Sequence, residues 1–168
     1  MSQQERKQPN IKPIDGENEI EERIIEVKRV SKKNKGGNRI SFTVLMAVGD
    51  KKGRVGTALG KAPSVTAAIK KAITKARRDM VAVPIVEGGT IAHEMLSKFG
   101  ASHIYIKPAP VGAGVIAGGS VRAILELAGI TNVSAKILGT RSKSLNIHNM
   151  MSIFSKLNQS KKTKVKIK

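Results

Sequence analysis

The sequence predicts an α+β protein of two small domains, and three features carry that prediction. Apolar residues alternate through 40–48, recur at helical spacing through 65–80, and reappear after residue 83 as a second set of strand and helix patterns separated by glycines. With 168 residues, the chain has room for one ordinary domain or two small ones, since domains run roughly 50 to 200 residues.

The elements follow in order. Residues 1–18 are rich in Gln, Pro, Asn and Glu without apolar periodicity, and read as a flexible tail. Between 19 and 30 two patterns compete: Ile20, Ile24 and Val27 fit a helix, whereas the β-branched density of 24–30 favours a strand from about Arg23. Ile40, Phe42, Val44, Met46 and Val48 then alternate with Ser41, Thr43, Leu45 and Ala47, the pattern of a half-buried strand. The turn residues Gly49, Asp50 and Gly53 lead into a returning strand over 54–58. Ser64 is the expected N-cap of a helix, with Pro63 just outside it. Val65, Ala68, Ile69, Ala72, Ile73, Ala76 and Met80 share one face of that helix, which leaves Lys70, Lys71, Lys75, Arg77 and Arg78 on the rest of its circumference.

The second unit starts after residue 83, with strands expected over 90–93 and 103–107. A glycine run through Gly112, Gly114, Gly118 and Gly119 feeds a helix bearing Val121, Ile124, Leu125 and Ala128, which Gly129 stops at C′. A strand over 133–138 and a last helix capped by Asn146 complete the unit, and residues 159–168 read as a basic flexible tail. The boundaries are thus 19–82 and 83–158. Ile147, Met150, Met151, Phe154 and Leu157 in the last helix are core.

Charge narrows the function. The formal net charge is +19, but residues 1–26 carry four bases and seven acids, so the excess begins at Lys28. Lys28, Arg29, Lys32, Lys33, Lys35 and Arg39 form one block without an acid, and Lys51, Lys52, Arg54, Lys61, Lys70, Lys71, Lys75, Arg77 and Arg78 form a second. Blocks of one sign repel each other unless an external polyanion compensates them, which points to phosphates. Aromatics make up only 2% of the chain, too few rings for a reader of unstacked bases. There is no cysteine, so disulfides, thiolate metal sites and cysteine nucleophiles are excluded. No stretch approaches the roughly 20 apolar residues of a membrane span, and the N-terminus lacks a signal-peptide core, so a soluble protein is expected.

The sharper motifs fail on chemistry. His93-Glu94 begins like a zinc-protease helix, but the second imidazole position is Ser97. Gly60-Lys61 resembles the end of a P-loop, yet Ala62 stands where a magnesium-binding hydroxyl is required. Gly53-Arg54-Val55-Gly56 matches the GXXG loop of one RNA-binding class, but lies between strands instead of helices. Gly112-Ala113-Gly114 lacks the third glycine of a dinucleotide turn, since Ala117 stands there. Two readings of that glycine run stay open: close packing, or an anion received by free N–H groups at the helix start. Glu126, four residues after Arg122, reads as an intrahelical ion pair. No acid pair is placed for catalysis, and neither a cofactor, a metal nor a small-molecule substrate is expected.

The run 29–37 (RVSKKNKGG), with Ser41-Phe42-Thr43, Val48-Gly49-Asp50, Gly53-Arg54-Val55-Gly56, Gly60-Lys61-Ala62 and Lys75-Ala76-Arg77-Arg78, resembles bacterial small-subunit ribosomal protein five. Pro108-Ala109, the run 114–119 (GVIAGG), Val121-Arg122-Ala123 and Leu125-Glu126 resemble the second domain of that family. The similarity spans about residues 20–158 in order. It implies a βββα domain like a double-stranded-RNA-binding module, joined to a βαβα-type domain. It further implies a non-enzymatic constituent of the small ribosomal subunit in the cytoplasm, bound to ribosomal RNA at the body–head junction. The implied RNA contacts are Lys28, Arg29, Lys32, Lys33, Lys35, Gly36, Gly37, Arg39, Lys51, Lys52, Arg54, Lys61, Lys70, Lys71, Arg77 and Arg78. Gly114 and Arg122 would face ribosomal protein four, an interface tied to decoding accuracy. Ribosomal protein eight and messenger RNA near its channel of entrance are the other implied partners. The sequence departs from the family pattern at Asn38, Ile40, Ala58 and Ile147, and 140–145 reads as an insertion.

Overall fold

A computed structural model of the chain describes residues 20–165, with side chains described through Asn158. The expected N-terminal tail and the last residues of the C-terminal one lie outside the described residues. Eleven elements run in the order β1 (Glu21–Asn34), β2 (Gly37–Gly49), β3 (Arg54–Ala62), α1 (Val65–Arg78), β4 (Val81–Ala82), β5 (Met95–Phe99), β6 (Ser102–Pro108), β7 (Val115–Ile116), α2 (Gly119–Ala128), β8 (Val133–Ile137) and α3 (Lys143–Val165). The first four strands form an antiparallel sheet in sequence order; the other four form a sheet ordered β5-β6-β8-β7, in which only β7 and β8 are parallel. The α+β class with strands, then a helix, then a second mixed unit is therefore observed. Among the described residues no helix is long and apolar enough to cross a membrane.

Helix α1 forms as its spacing predicts. Ser64 is extended and its Oγ accepts from the Ala67 N–H at 3.3 Å, the expected N-cap. Ala68, Ala72 and Ala76 are fully buried against Val44, Met46, Val48 and Ala58 of the sheet. Alanines allow a close approach, and the strand completes it with glycine: a Cβ at Gly56 or Gly60 would collide with the backbone carbonyl of Ala76 or Ala68. These strand glycines serve helix packing.

The other face of β2 is buried too, which corrects the half-buried strand expected from its alternation. Leu45 and Ala47 join Val55 and Val83 in one core with Ile104, Ile124, Leu125, Leu127, Ile147, Met150, Phe154 and Leu157 of the second unit. Alternation therefore separates two apolar environments in this strand, α1 on one side and the second unit on the other. Backbone bonds seal the junction: the Lys51 N–H donates to the Leu127 carbonyl and the Gly53 N–H to that of Ala128, both at 3.0 Å. Gly129 ends α2 with φ +88°, and a Cβ there would collide with the Lys51 carbonyl.

Three local expectations need correction. The strand expected over 90–93 lies at Met95–Phe99 instead, because Gly88 and Gly89, both at positive φ, fold 86–90 into a turn closed by an isolated Val86–Thr90 bridge. Asn146 does not cap α3. It lies inside the helix, nearly fully buried, with Oδ1 accepting from Ser102 Oγ at 2.7 Å and Nδ2 donating to the Thr140 carbonyl at 3.0 Å. The helix begins three residues earlier, where the Asn146 N–H reaches the Ser142 carbonyl. It also continues through 159–165, a stretch the sequence assigns to the tail. Asn149 adds a second tie, donating to the carbonyls of Ser97 and Ser102 at 3.1 Å.

Candidate nucleic-acid interface

β1 and β2 extend beyond the rest of the sheet. β3 pairs with β2 only from Phe42 onward, so residues 31–40 form a free two-stranded ribbon closed by a turn at Lys35 and Gly36, and every residue in it is exposed. Cross-strand partners share a face, and the register sets Lys32 opposite Arg39. Two residues further along the same face lie Val30 and Ser41, then Lys28 and Thr43; Thr43 in turn pairs with Lys61 of β3. Lys32, Arg39 and Lys61 consequently border one cleft of about 600 Å³ where the ribbon leaves the sheet. Arg29 and Lys33 occupy the opposite face and Lys35 the tip, so the ribbon presents cations on both faces and at its end.

Among the described residues, Arg29, Lys32, Lys33, Lys35, Arg39, Lys61, Lys70 and Lys71 form no ion pair with a carboxylate. A Cβ at Gly36 or Gly37 would meet nothing within 4 Å, so no neighbouring group covers the tip on that side. Lys70 and Lys71 stand on α1, on the helix face turned away from the sheet.

Other expected contacts are placed elsewhere. Lys51, Lys52 and Arg54 sit in or beside the β2–β3 turn, at the end of the sheet remote from the ribbon tip, where Asp50 Oδ1 accepts from the backbone N–H groups of Lys52 and Arg54 at 2.8 and 2.9 Å. Lys51 pairs with Glu21, and its hydrogen bond is the main reason the Glu21 carboxyl is held below its ordinary range. Lys28 pairs with Glu26 at 3.0 Å, Arg77 with Glu22 at 2.8 Å and Arg78 with Asp79 at 3.1 Å. Of the expected set, Lys28, Lys51, Arg77 and Arg78 are thus partly neutralised by the protein's own acids, whereas no acid among the described residues neutralises the ribbon cations, Lys61, Lys70 or Lys71.

In the second unit, Arg122 pairs with Glu126 at 2.7 Å, as their spacing predicts, and stays largely exposed. Gly114 lies in the loop before β7 at φ +74°. Asn132, which carries no signal in the sequence, clasps that loop: its Oδ1 accepts from the N–H groups of Gly112 at 3.0 Å and Gly114 at 3.2 Å, while Nδ2 donates to the Gly88 carbonyl at 2.7 Å. Arg23 is a second residue that sequence reasoning misses. It crosses between the units to Glu126 at 2.6 Å, and an ion pair 103 residues apart leaves no periodic signal in a sequence.

Glu126 accepts from two guanidiniums, Arg122 first and Arg23 second, and both hold its carboxyl below the ordinary glutamate range. A depressed carboxyl contributes stability above its unfolded value and loses it as pH falls through the folded one. Glu126→Gln should therefore cost about 1 kcal/mol at pH 7, since the pairs are partly exposed. That gap should close on acidification below the carboxylate range, as urea unfolding at a series of pH values would measure. Among the described residues no group of three histidine or acidic side chains could hold a metal ion.

Two family models match the chain: ribosomal protein S5, N-terminal domain, over residues 20–84, and ribosomal protein S5, C-terminal domain, over residues 97–165. The chain belongs to the ribosomal protein S5 family. Its relatives include the small ribosomal subunit protein uS5 of Thermotoga maritima, 52% identical over 73% of this chain and 68% of the relative. That of Aquifex aeolicus is 46% identical over 83% and 67%. That of Mycoplasma mobile is 49% identical over 84% of this chain, a match that spans only 57% of the relative's length. The two S5 matches cover the free ribbon and α1 in the first unit, and the Asn132-clasped loop and α2 in the second.

Proposed function

We propose that this chain is a structural constituent of the small ribosomal subunit in the cytoplasm, bound to small-subunit ribosomal RNA and performing no chemistry of its own. The observation that carries this reading is the ribbon at 31–40, fully exposed and supplied with cations that no carboxylate among the described residues neutralises. Such a ribbon reads shape and phosphate positions in preference to base edges. S5 family membership supplies the ribosomal setting, because the relatives are named as small-subunit proteins.

The finer assignment extends the same proposal. The ribbon reaches RNA at the body–head junction, the loop at Gly114 with Arg122 faces ribosomal protein four and supports decoding accuracy, and ribosomal protein eight and incoming messenger RNA lie against other surfaces. Chemical footprinting of small subunits assembled with and without this chain tests it. Protections should cluster at the body–head junction, with crosslinks from Gly114→Cys to protein four. Protections spread evenly over the RNA would contradict the assignment.

A further inference from the structure

A cavity of about 570 Å³ lies between β1, α2 and the start of α3, and no acidic residue lines it. Arg23, Arg141 and Lys143 border it with three positive charges. Arg23 is engaged by Glu126, and Lys143 lies 3.8 Å from Glu26, whereas Arg141 has no acidic partner among the described residues. The N-terminus of α2 opens on the same space. Gly118 caps that helix without a side-chain hydrogen bond, so the first N–H groups, those of Gly119 and Ser120, have no acceptor within the helix. A Cβ built at Gly119 would meet nothing within 4 Å, so the backbone there is open to a ligand.

Ser120 supplies an independent sign. It is only 9% exposed, borders the cavity, and its hydroxyl has no hydrogen-bond partner among the described residues. Backbone N–H groups, a hydroxyl donor and an Arg141 guanidinium with no acidic partner among the described residues together match a tetrahedral oxyanion, and phosphate in particular.

We propose that this cavity holds one phosphodiester group of RNA, bound by the Ser120 hydroxyl, the Gly119 and Ser120 N–H groups, and the charges of Arg141 and Lys143. The RNA source rests on the ribosomal reading above; the phosphate chemistry does not. The two readings of the glycine run then divide by position: Gly118 packs against Ile137, and Gly119 faces the ligand.

The test titrates the isotopically labelled full chain with inorganic phosphate and follows amide resonances. Those of Gly119 and Ser120 should shift and saturate. Ser120→Ala, and separately Arg141→Gln with Lys143→Gln, should weaken this binding about tenfold. Shifts scattered over surface lysines, with none that saturates at Gly119, would overturn the site. A second arm measures binding to small-subunit ribosomal RNA against salt. The Arg141→Gln, Lys143→Gln chain should lose about one unit of the log–log slope. Saturable phosphate binding with an unchanged slope would overturn the RNA source and leave free phosphate as the ligand. Absence of salt-dependent RNA binding in the unaltered chain would defeat the ribosomal reading and the RNA source together, while the phosphate titration would still decide the site.

Discussion

Gly129→Ala should lower the stability of the whole protein by about 3 kcal/mol, combining the cost of a left-handed backbone on a residue with a Cβ and the cost of overpacking. At this chain length that corresponds to a fall in Tm of roughly 6–12 °C. The size follows from the site: Gly129 has φ +88°, and its missing Cβ leaves room for the Lys51 carbonyl of the other unit. The Lys51 and Gly53 N–H bonds to the end of α2 lie beside it, so a shift of α2 would break backbone bonds as well as apolar contacts. Gly100→Ala is the control, because Gly100 is also at positive φ but has nothing within 4 Å of the position a Cβ would take. It should cost only about 1 kcal/mol. Thermal unfolding of the two variants compares them directly, and equal losses would mean that strain alone, not the close contact between the units, sets the effect.

Removing the ribbon cations should produce the largest functional loss. If Lys32, Lys33 and Lys35 each neutralise one phosphate, their replacement by Ala should reduce the slope of log K against log salt by roughly 2.7, at about 0.9 per contact on a duplex. The same relation gives a loss of about 500-fold in affinity at 0.1 M salt, taking these contacts as worth nothing at 1 M. Stability should stay within about 0.5 kcal/mol of the unaltered chain, because the three side chains are exposed and belong to no core cluster. Lys51→Ala should behave in the opposite way, changing the slope little and disturbing the Glu21 pair at the junction of the units. Filter binding over a salt series separates the two. An unchanged slope in the ribbon variant would exclude the ribbon as a phosphate reader.

Legibility in the sequence follows the range of the interactions. α1 is legible because its signal is local: the Ser64 cap and the repeated alanines and isoleucines lie within one helix. The C′ stop at Gly129 is legible for the same reason. β2 is recognisable as a strand, and its unbroken apolar run over 44–48 is compatible with burial on both faces, but that the second unit is what covers Leu45 and Ala47 cannot be read from the sequence. β4 and β7, two residues each, are too short to carry a period. The start of α3 is hidden because Ser142 lies in what reads as an inserted loop, and Asn146, a plausible cap by type, is used to bond Ser102.

The candidate site divides along the same line. The cationic block from Lys28 to Arg39 is visible as composition, and the register of β1 and β2 then shows which members share a face. Composition cannot show that Lys51, Arg77 and Arg78 are met by Glu21, Glu22 and Asp79, because the partners of the first two come from other elements. Nor can it bring Arg23, Ser120, Arg141 and Lys143 to one cavity.

Sedimentation of a cell lysate through sucrose gradients at low and high salt, with this chain followed by quantitative mass spectrometry, tests the central claim most directly. The account predicts that the chain stays with small ribosomal subunits at close to one copy each after the high-salt wash. Its release to the top of the gradient would contradict an integral place in the subunit and leave a free RNA chaperone or translation regulator as the better description.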